Sequence, residues 1–226
     1  MDRPLENTLI KVWDLPTRVF HWALVALVLS NFILADDKGI VFRIHTYTGY
    51  SILLLVLFRL AWGFTGGEHA RFSDFVRPWS DVREHLKSLL ALSPPHYLGH
   101  NPTAGWMIVL MLVCLMLIVI TGMIGAVSKD AVIPVFAGLS RSISRPMKEI
   151  HEFLGNAMMG LVGIHVLGVL VEWGLSRDNL VRAMIVGTKR YWAGARDAWA
   201  VGLWRAILIV GVLVPLVVYL VMRTSF

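Results

Sequence analysis

The segment from Lys148 to Trp173 constrains this chain more than any other, because it is a membrane-length apolar stretch carrying two histidines, His151 and His165. Histidine is costly in hydrocarbon, so each one needs a partner. The two stand 14 positions apart. At ~100° per residue that is about 40° short of four full turns, so both imidazoles project from one face of a helix. Along the axis they lie about 21 Å apart, roughly two-thirds of a ~30 Å hydrocarbon slab, one towards each surface. Gly155 follows His151 by one turn, Gly168 follows His165 by three residues, and Gly160 and Gly163 lie between. Such gaps let a flat macrocycle approach a backbone. They equally suit helix-on-helix packing in which neighbouring helices satisfy the histidines. Partners at the same two depths on other helices would decide between these readings.

The rest of the chain supplies the helices. Hydrophobic residues make up 57% of the 226 and mean hydropathy is +0.67, values of an integral membrane protein. Five stretches are long enough to span: about 18–35, 44–64, 103–127, 150–173 and 203–222. The first reads as an anchor rather than a cleavable signal, since its apolar run starts late and no small-x-small site follows. The single cysteine, Cys114, lies inside the third span without a CxxCH context, which excludes c-type haem attachment and an intrachain disulfide. A net charge of +6 in such a chain is loop charge that sets orientation, not a nucleic-acid surface. Thirteen of the 21 Lys and Arg fall in the N-terminus, second loop and fourth loop, against seven in the first and third loops and C-terminal tail. That predicts a cytoplasmic N-terminus and a periplasmic C-terminus.

Other helices do offer histidines. His21 lies about one turn into the first span, beside Trp22, and His45 opens the second, with Gly49 one turn on as Gly155 is from His151. Spans alternate in direction, so His21 and His165 share the cytoplasmic half, and His45 and His151 lie near the outer surface. Arg59 is 14 residues beyond His45, on the same face near the cytoplasmic side. A cation there needs an anion, such as a haem propionate, or a snorkelling route to lipid phosphate. In the second loop, Asp81 and Glu84 suggest the start of an amphipathic interfacial helix with Val82, Leu86, Leu89 and Leu90 on one face and Phe72, Phe75 and Trp79 as anchors. His69 and His85 read there as solvated residues. His100, at the entry to the third span, could hydrogen-bond a propionate or a quinone carbonyl, or cap the helix. Asn179 or Asp178 suits the cap of a short helix, and Lys189-Arg190 suits a contact with the cytoplasmic leaflet.

Two imidazoles facing each other across a bundle ask for a metal. Bis-histidine b haem is the natural occupant of a four-helix interior, whereas zinc would want further ligands at each depth. An iron held by two histidines is closed to direct ligand binding, which favours electron transfer. The expected fold is therefore an all-α integral membrane protein. Its four-helix transmembrane bundle holds two b haems within residues 1–190, and residues 191–226 form a linker and a fifth transmembrane helix.

Over Val12–Arg190 the chain resembles the bacterial di-haem cytochrome b561 family, in particular the cytochrome b subunits associated with nickel–iron hydrogenases and thiosulfate reductases. The resemblance rests on Pro16-Thr-Arg-Val-Phe-His-Trp22, His45 with Gly49, Arg59-Leu-Ala-Trp-Gly63, Gly99-His-Asn-Pro102 and the His151–His165 spacing. It implies that His21, His45, His151 and His165 are haem ligands. It also implies electron exchange between the quinone pool and a partner redox protein, either a c-type cytochrome or a reductase or hydrogenase subunit, at the bacterial inner membrane. Two alternatives remain. A superoxide:quinone oxidoreductase would need a cationic funnel, for which Lys38, Arg43, Arg141, Arg145 and Lys148 are available in and beside the outer loops. The other alternative is a haem-free membrane anchor with structural histidines.

Overall fold

A computed structural model describes residues 8–34, 39–126, 141–191 and 195–224. Five helices are long and apolar enough to cross a membrane: α1 (Leu15–Ile33), α2 (Gly39–Thr65), α5 (Pro102–Gly125), α6 (Arg141–Ser176) and α8 (Leu203–Thr224). Three shorter helices lie between them, α3 (Phe72–Phe75), α4 (Trp79–Leu90) and α7 (Leu180–Val186). Two short strands, β1 (Thr8–Lys11) and β2 (Thr188–Tyr191), pair antiparallel with Thr8 opposite Tyr191 and Lys11 opposite Thr188. This ladder adds a small non-helical element to the expected all-α membrane architecture.

Local chemistry explains the helix ends. Asp14 accepts the Thr17 amide at 2.8 Å and so caps α1, while Pro16 sits in the first turn, where an amide is dispensable. Asn101 accepts the Ala104 amide at 2.7 Å ahead of Pro102, a cap followed by proline at the first helical position. Asn179 rather than Asp178 caps α7, and Gly187 ends that helix with φ +88. The helix α4 differs from its expected form. It starts at Trp79 behind Pro78 with no side-chain cap, and it buries Val82 and His85 while Leu86 and Leu90 stay exposed. Phe75, expected as an interfacial anchor, is fully buried.

The helix α6 is longer than the apolar window inside it, 36 residues or about 54 Å. It begins at Arg141, so Arg145 and Lys148 lie on helix rather than in a loop. Each pairs with a carboxylate one turn on: Arg145 with Glu149 at 3.4 Å and Lys148 with Glu152 at 3.9 Å.

The chain divides into two compact units. One, here called the loop unit, gathers Met1–Val19, Ala61–Val109 and Val162–Ala206. The other, the span unit, gathers Phe20–Leu60, Leu110–Leu161 and Ile207–Phe226. In the loop unit, Val12, Trp13 and Ala183 form a small core under Leu98 and Met184. The segment after β2 is fastened to the N-terminal one: the Lys11 amide donates to Asp197 and the Ala198 amide to the Lys11 carbonyl. Asp14 also receives the Trp62 indole N–H at 3.0 Å, tying the start of α1 to the end of α2.

Candidate functional site

In the span unit, α2 presents His45 and α6 presents His151, with imidazole centroids 6.0 Å apart and ring planes at 81°. Each ring is oriented by a backbone carbonyl. His45 Nδ1 lies 3.2 Å from the Asn31 carbonyl oxygen, which belongs to the last turn of α1, where helical carbonyls lack partners. His151 Nδ1 lies 2.8 Å from the carbonyl oxygen of Ile118 on α5. A carbonyl only accepts, so both contacts place the proton on Nδ1 and make Nε2 the basic nitrogen, the tautomer that a metal-ligating histidine needs. The Ile118 contact is possible because residue 122, one turn on, is glycine. A Cβ there would stand 2.8 Å from His151 Cε1 and 2.9 Å from Nδ1.

The donor set fits a haem. Metal–nitrogen bonds of about 2 Å on each side of one ion, with each ring centre about 1 Å beyond its nitrogen, require centroids roughly 6 Å apart. Among the described residues no group of three or more His, Cys, Asp or Glu could hold a metal ion. A Cβ built on Gly49, Gly155, Gly160, Gly163 or Gly168 would meet nothing within 4 Å, so each glycine opens onto space.

A family match decides the identity of the fold: residues 12–187 match the model of the family described as prokaryotic cytochrome b561. The chain belongs to that family. A prokaryotic cytochrome b561 is a multi-pass bacterial membrane protein of the b-type cytochromes, with haem b as its cofactor and electron transport as its class of activity. Similar proteins include a "Probable Ni/Fe-hydrogenase B-type cytochrome subunit" of Rhizobium leguminosarum bv. viciae, 25% identical over 84% of this chain and 92% of that one. A "Probable Ni/Fe-hydrogenase 1 B-type cytochrome subunit" of Escherichia coli strain K12 is 24% identical over 80% and 90% respectively.

The other residues singled out in this cytochrome b561 fall in different settings. His21, half-buried on α1 in the span unit, has its ring 5.2 Å from that of Trp22. His165 is half-buried on the part of α6 that belongs to the loop unit. Arg59 is 2% exposed, so its head does not snorkel to a lipid phosphate. His100 lies between Trp13 and Phe75, with ring centroids at 4.4 and 5.0 Å, and the cap of α5 comes from Asn101 instead. Of the cationic residues considered for a superoxide funnel, Lys38 lies outside the described residues, and Arg145 and Lys148 share their charge with carboxylates.

Two histidines expected to be solvated are not. His69 is half-buried against Asp74, Nδ1 to Oδ2 2.9 Å. His85 is 2% exposed, with Nδ1 2.9 Å from the Thr103 hydroxyl and Nε2 3.5 Å from Glu172 Oε2. Their charged sequence neighbours suggested water; packing against other elements overrides them. Lys189, expected at a lipid surface, is buried in β2 and donates to the Tyr97 carbonyl at 3.1 Å. Burial pushes its ammonium pKa down, against the pull of Asp178 and Glu172. Glu172 carried a signal that sequence reasoning passed over: an acid in the last turn of a membrane span, seven residues beyond His165 and therefore on its face.

Proposed function

We propose that this cytochrome carries electrons across the bacterial inner membrane through two bis-histidine b haems, between the quinone pool and a partner redox protein. The separation of the His45 and His151 rings carries the reading, because a backbone carbonyl holds each Nδ1–H and leaves Nε2 as the nitrogen available to a metal. His45 and His151 hold the periplasmic haem, and His21 and His165 hold the cytoplasmic one. Each haem supplies a one-electron couple. The carbonyls of Asn31 and Ile118 fix the tautomers of His45 and His151, and a haem held by two histidines would pass electrons without binding small ligands. Arg59 answers a haem propionate. His100, held between two aromatic rings, hydrogen-bonds a propionate or a quinone carbonyl.

The partner class follows from the relatives, whose names place them as cytochrome subunits of nickel–iron hydrogenases, and a hydrogenase-type redox protein fits here. The orientation is N-terminus cytoplasmic and C-terminus periplasmic. It is supported by the loop unit, which gathers the three segments that carry thirteen of the 21 Lys and Arg. Residues 1–190 form the haem-holding part and 191–226 the appended linker and helix, in keeping with a family match that ends at residue 187.

Redox-titrated visible spectra of the wild type and of His21→Ala, His45→Ala, His151→Ala and His165→Ala test the assignment. Two low-spin b haems are expected in the wild type and one in each variant, with the same haem lost within each pair. A wild type with one haem, or variants that keep both, would overturn it.

A further inference from the structure

We propose that His85 and Glu172 form a buried proton-uptake site that takes one proton from the cytoplasmic side when an electron arrives at the His165 end of the chain. This rests on the haem assignment above and goes beyond it, since it gives the cytochrome a second ligand, the proton.

Three observations converge. His85 is 2% and Glu172 7% exposed, and no other charged side chain stands in α6 between Glu152 and Glu172. Burying an imidazole and a carboxylate together at the end of a membrane span is expensive, and ionisable groups kept there mark a function. His85 Nε2 makes no hydrogen bond of good geometry and faces Glu172 Oε2 at 3.5 Å, while Nδ1 is 2.9 Å from the Thr103 hydroxyl. A hydroxyl both donates and accepts. With the imidazole neutral, Nε2–H points at the carboxylate and the hydroxyl donates to Nδ1. After protonation, Nδ1–H donates to the rotated hydroxyl and Nε2–H still faces the carboxylate. One proton therefore enters with the rotation of a single O–H and no loss of contact.

The third observation is placement. Glu172 lies seven residues after His165, about 20° from it on the helix surface and about 10 Å along the axis. An electron added at the His165 end makes the surroundings of the pair more negative and raises its affinity for a proton. The balance is one electron in from the redox partner and one proton in from water, so the net charge of the buried region is unchanged. Around the pair, the Tyr97 ring lies 5.6 Å from that of His85; Glu172 acts electrostatically on Tyr97 together with Arg77, Asp81 and Glu84 in and beside α4, and on Lys189 of β2 together with Asp178 after α6. A protein that delivers electrons to quinone must also supply protons, and such a site stands where they enter.

Two measurements on the intact haem-loaded protein test this. Protons taken up on full reduction are counted with a pH indicator, and the midpoint of the haem lost in His165→Ala is followed between about pH 5 and 8, the range in which histidine titrates. In the wild type, uptake approaching one proton per electron at that haem is expected, together with a midpoint that falls as pH rises. Glu172→Gln and His85→Gln should flatten that slope and abolish the uptake while leaving the haem spectrum unchanged. Thr103→Val, which removes only the rotating hydroxyl, should reduce the slope and serves if the other variants do not fold. A wild type that takes up no protons, or variants with the same slope as the wild type, would overturn the inference while the electron-transfer reading stands. A chain that binds no haem would overturn both.

Discussion

In the span unit the imidazoles of His45 and His151 are oriented by backbone carbonyls, those of Asn31 and Ile118, whereas in the loop unit His69 and His85 are held by the side chains of Asp74, Thr103 and Glu172. A carbonyl acceptor carries no charge, cannot be titrated and survives any substitution at its own residue. It fixes a ring for a neutral, metal-binding tautomer. A side-chain acceptor can be charged, protonated or removed. The first arrangement suits a permanent cofactor ligand, and the second suits groups that exchange protons or hold a fold together. The difference also sets what mutation can reach: the span unit is vulnerable through packing, the loop unit through its polar side chains.

The largest expected effect comes from disturbing the packing that lets a ring reach its carbonyl. Gly122→Val places branched carbon where a single Cβ already stands 2.8 Å from His151 Cε1. Haem content per chain should fall towards half, because the ring cannot keep both its Ile118 contact and its ligand direction. Full haem content in that variant would break the contrast between the units.

Next comes the polar side of the comparison. Asp14→Ala removes the cap of α1 and withdraws an acceptor from the Trp62 indole, a side chain with no exposed surface. A lost cap costs about 1 kcal/mol and a lost buried hydrogen bond about 1–3 kcal/mol, so roughly 2–4 kcal/mol of stability should go. Thermal denaturation in detergent measures it, with the spectrum of the remaining folded protein unchanged. Asn101→Ala, which removes one cap alone, should cost about 1 kcal/mol in the same assay.

The smallest effect is a pH dependence. Burial works against the charge of Glu68, but the fork of Arg196, at 2.9 and 2.7 Å, and the Trp199 amide outweigh it and hold its carboxyl below the usual glutamate range. A carboxyl lowered in the folded state adds stability above its unfolded pKa and loses it as pH falls through the folded value. Glu68→Gln should therefore melt below the wild type near neutrality, and the gap should close in acid. A gap that is constant with pH would show that the fork contributes by shape alone.

Much of this was legible in the amino acids. Hydropathy locates all five spans, because an apolar run of about 20 residues has one structural use, and the helical period puts His151 and His165 on one face. The start of α6 was not legible, since hydropathy marks an apolar window while the helix runs on through Arg141–Glu149, a polar stretch supported by pairs one turn apart. The β1–β2 ladder joins segments some 180 residues apart in sequence, and no local pattern in Thr8–Lys11 announces its partner. His85 was hidden by Arg83, Glu84 and Lys87 around it, although it occupies the one face of α4 that is buried. The carbonyls of Asn31 and Ile118 have no signature at all, because every residue carries one.

The pairing of His45 with His151 is tested most directly by haem content per chain in the wild type, in His45→Ala, in His151→Ala and in the double variant. Two haems are predicted in the wild type and one in each of the other three, with the double variant losing no more than either single one, because both rings serve the same iron. A double variant that has lost both haems while each single variant keeps one would mean that the two histidines bind different haems, and would contradict the account.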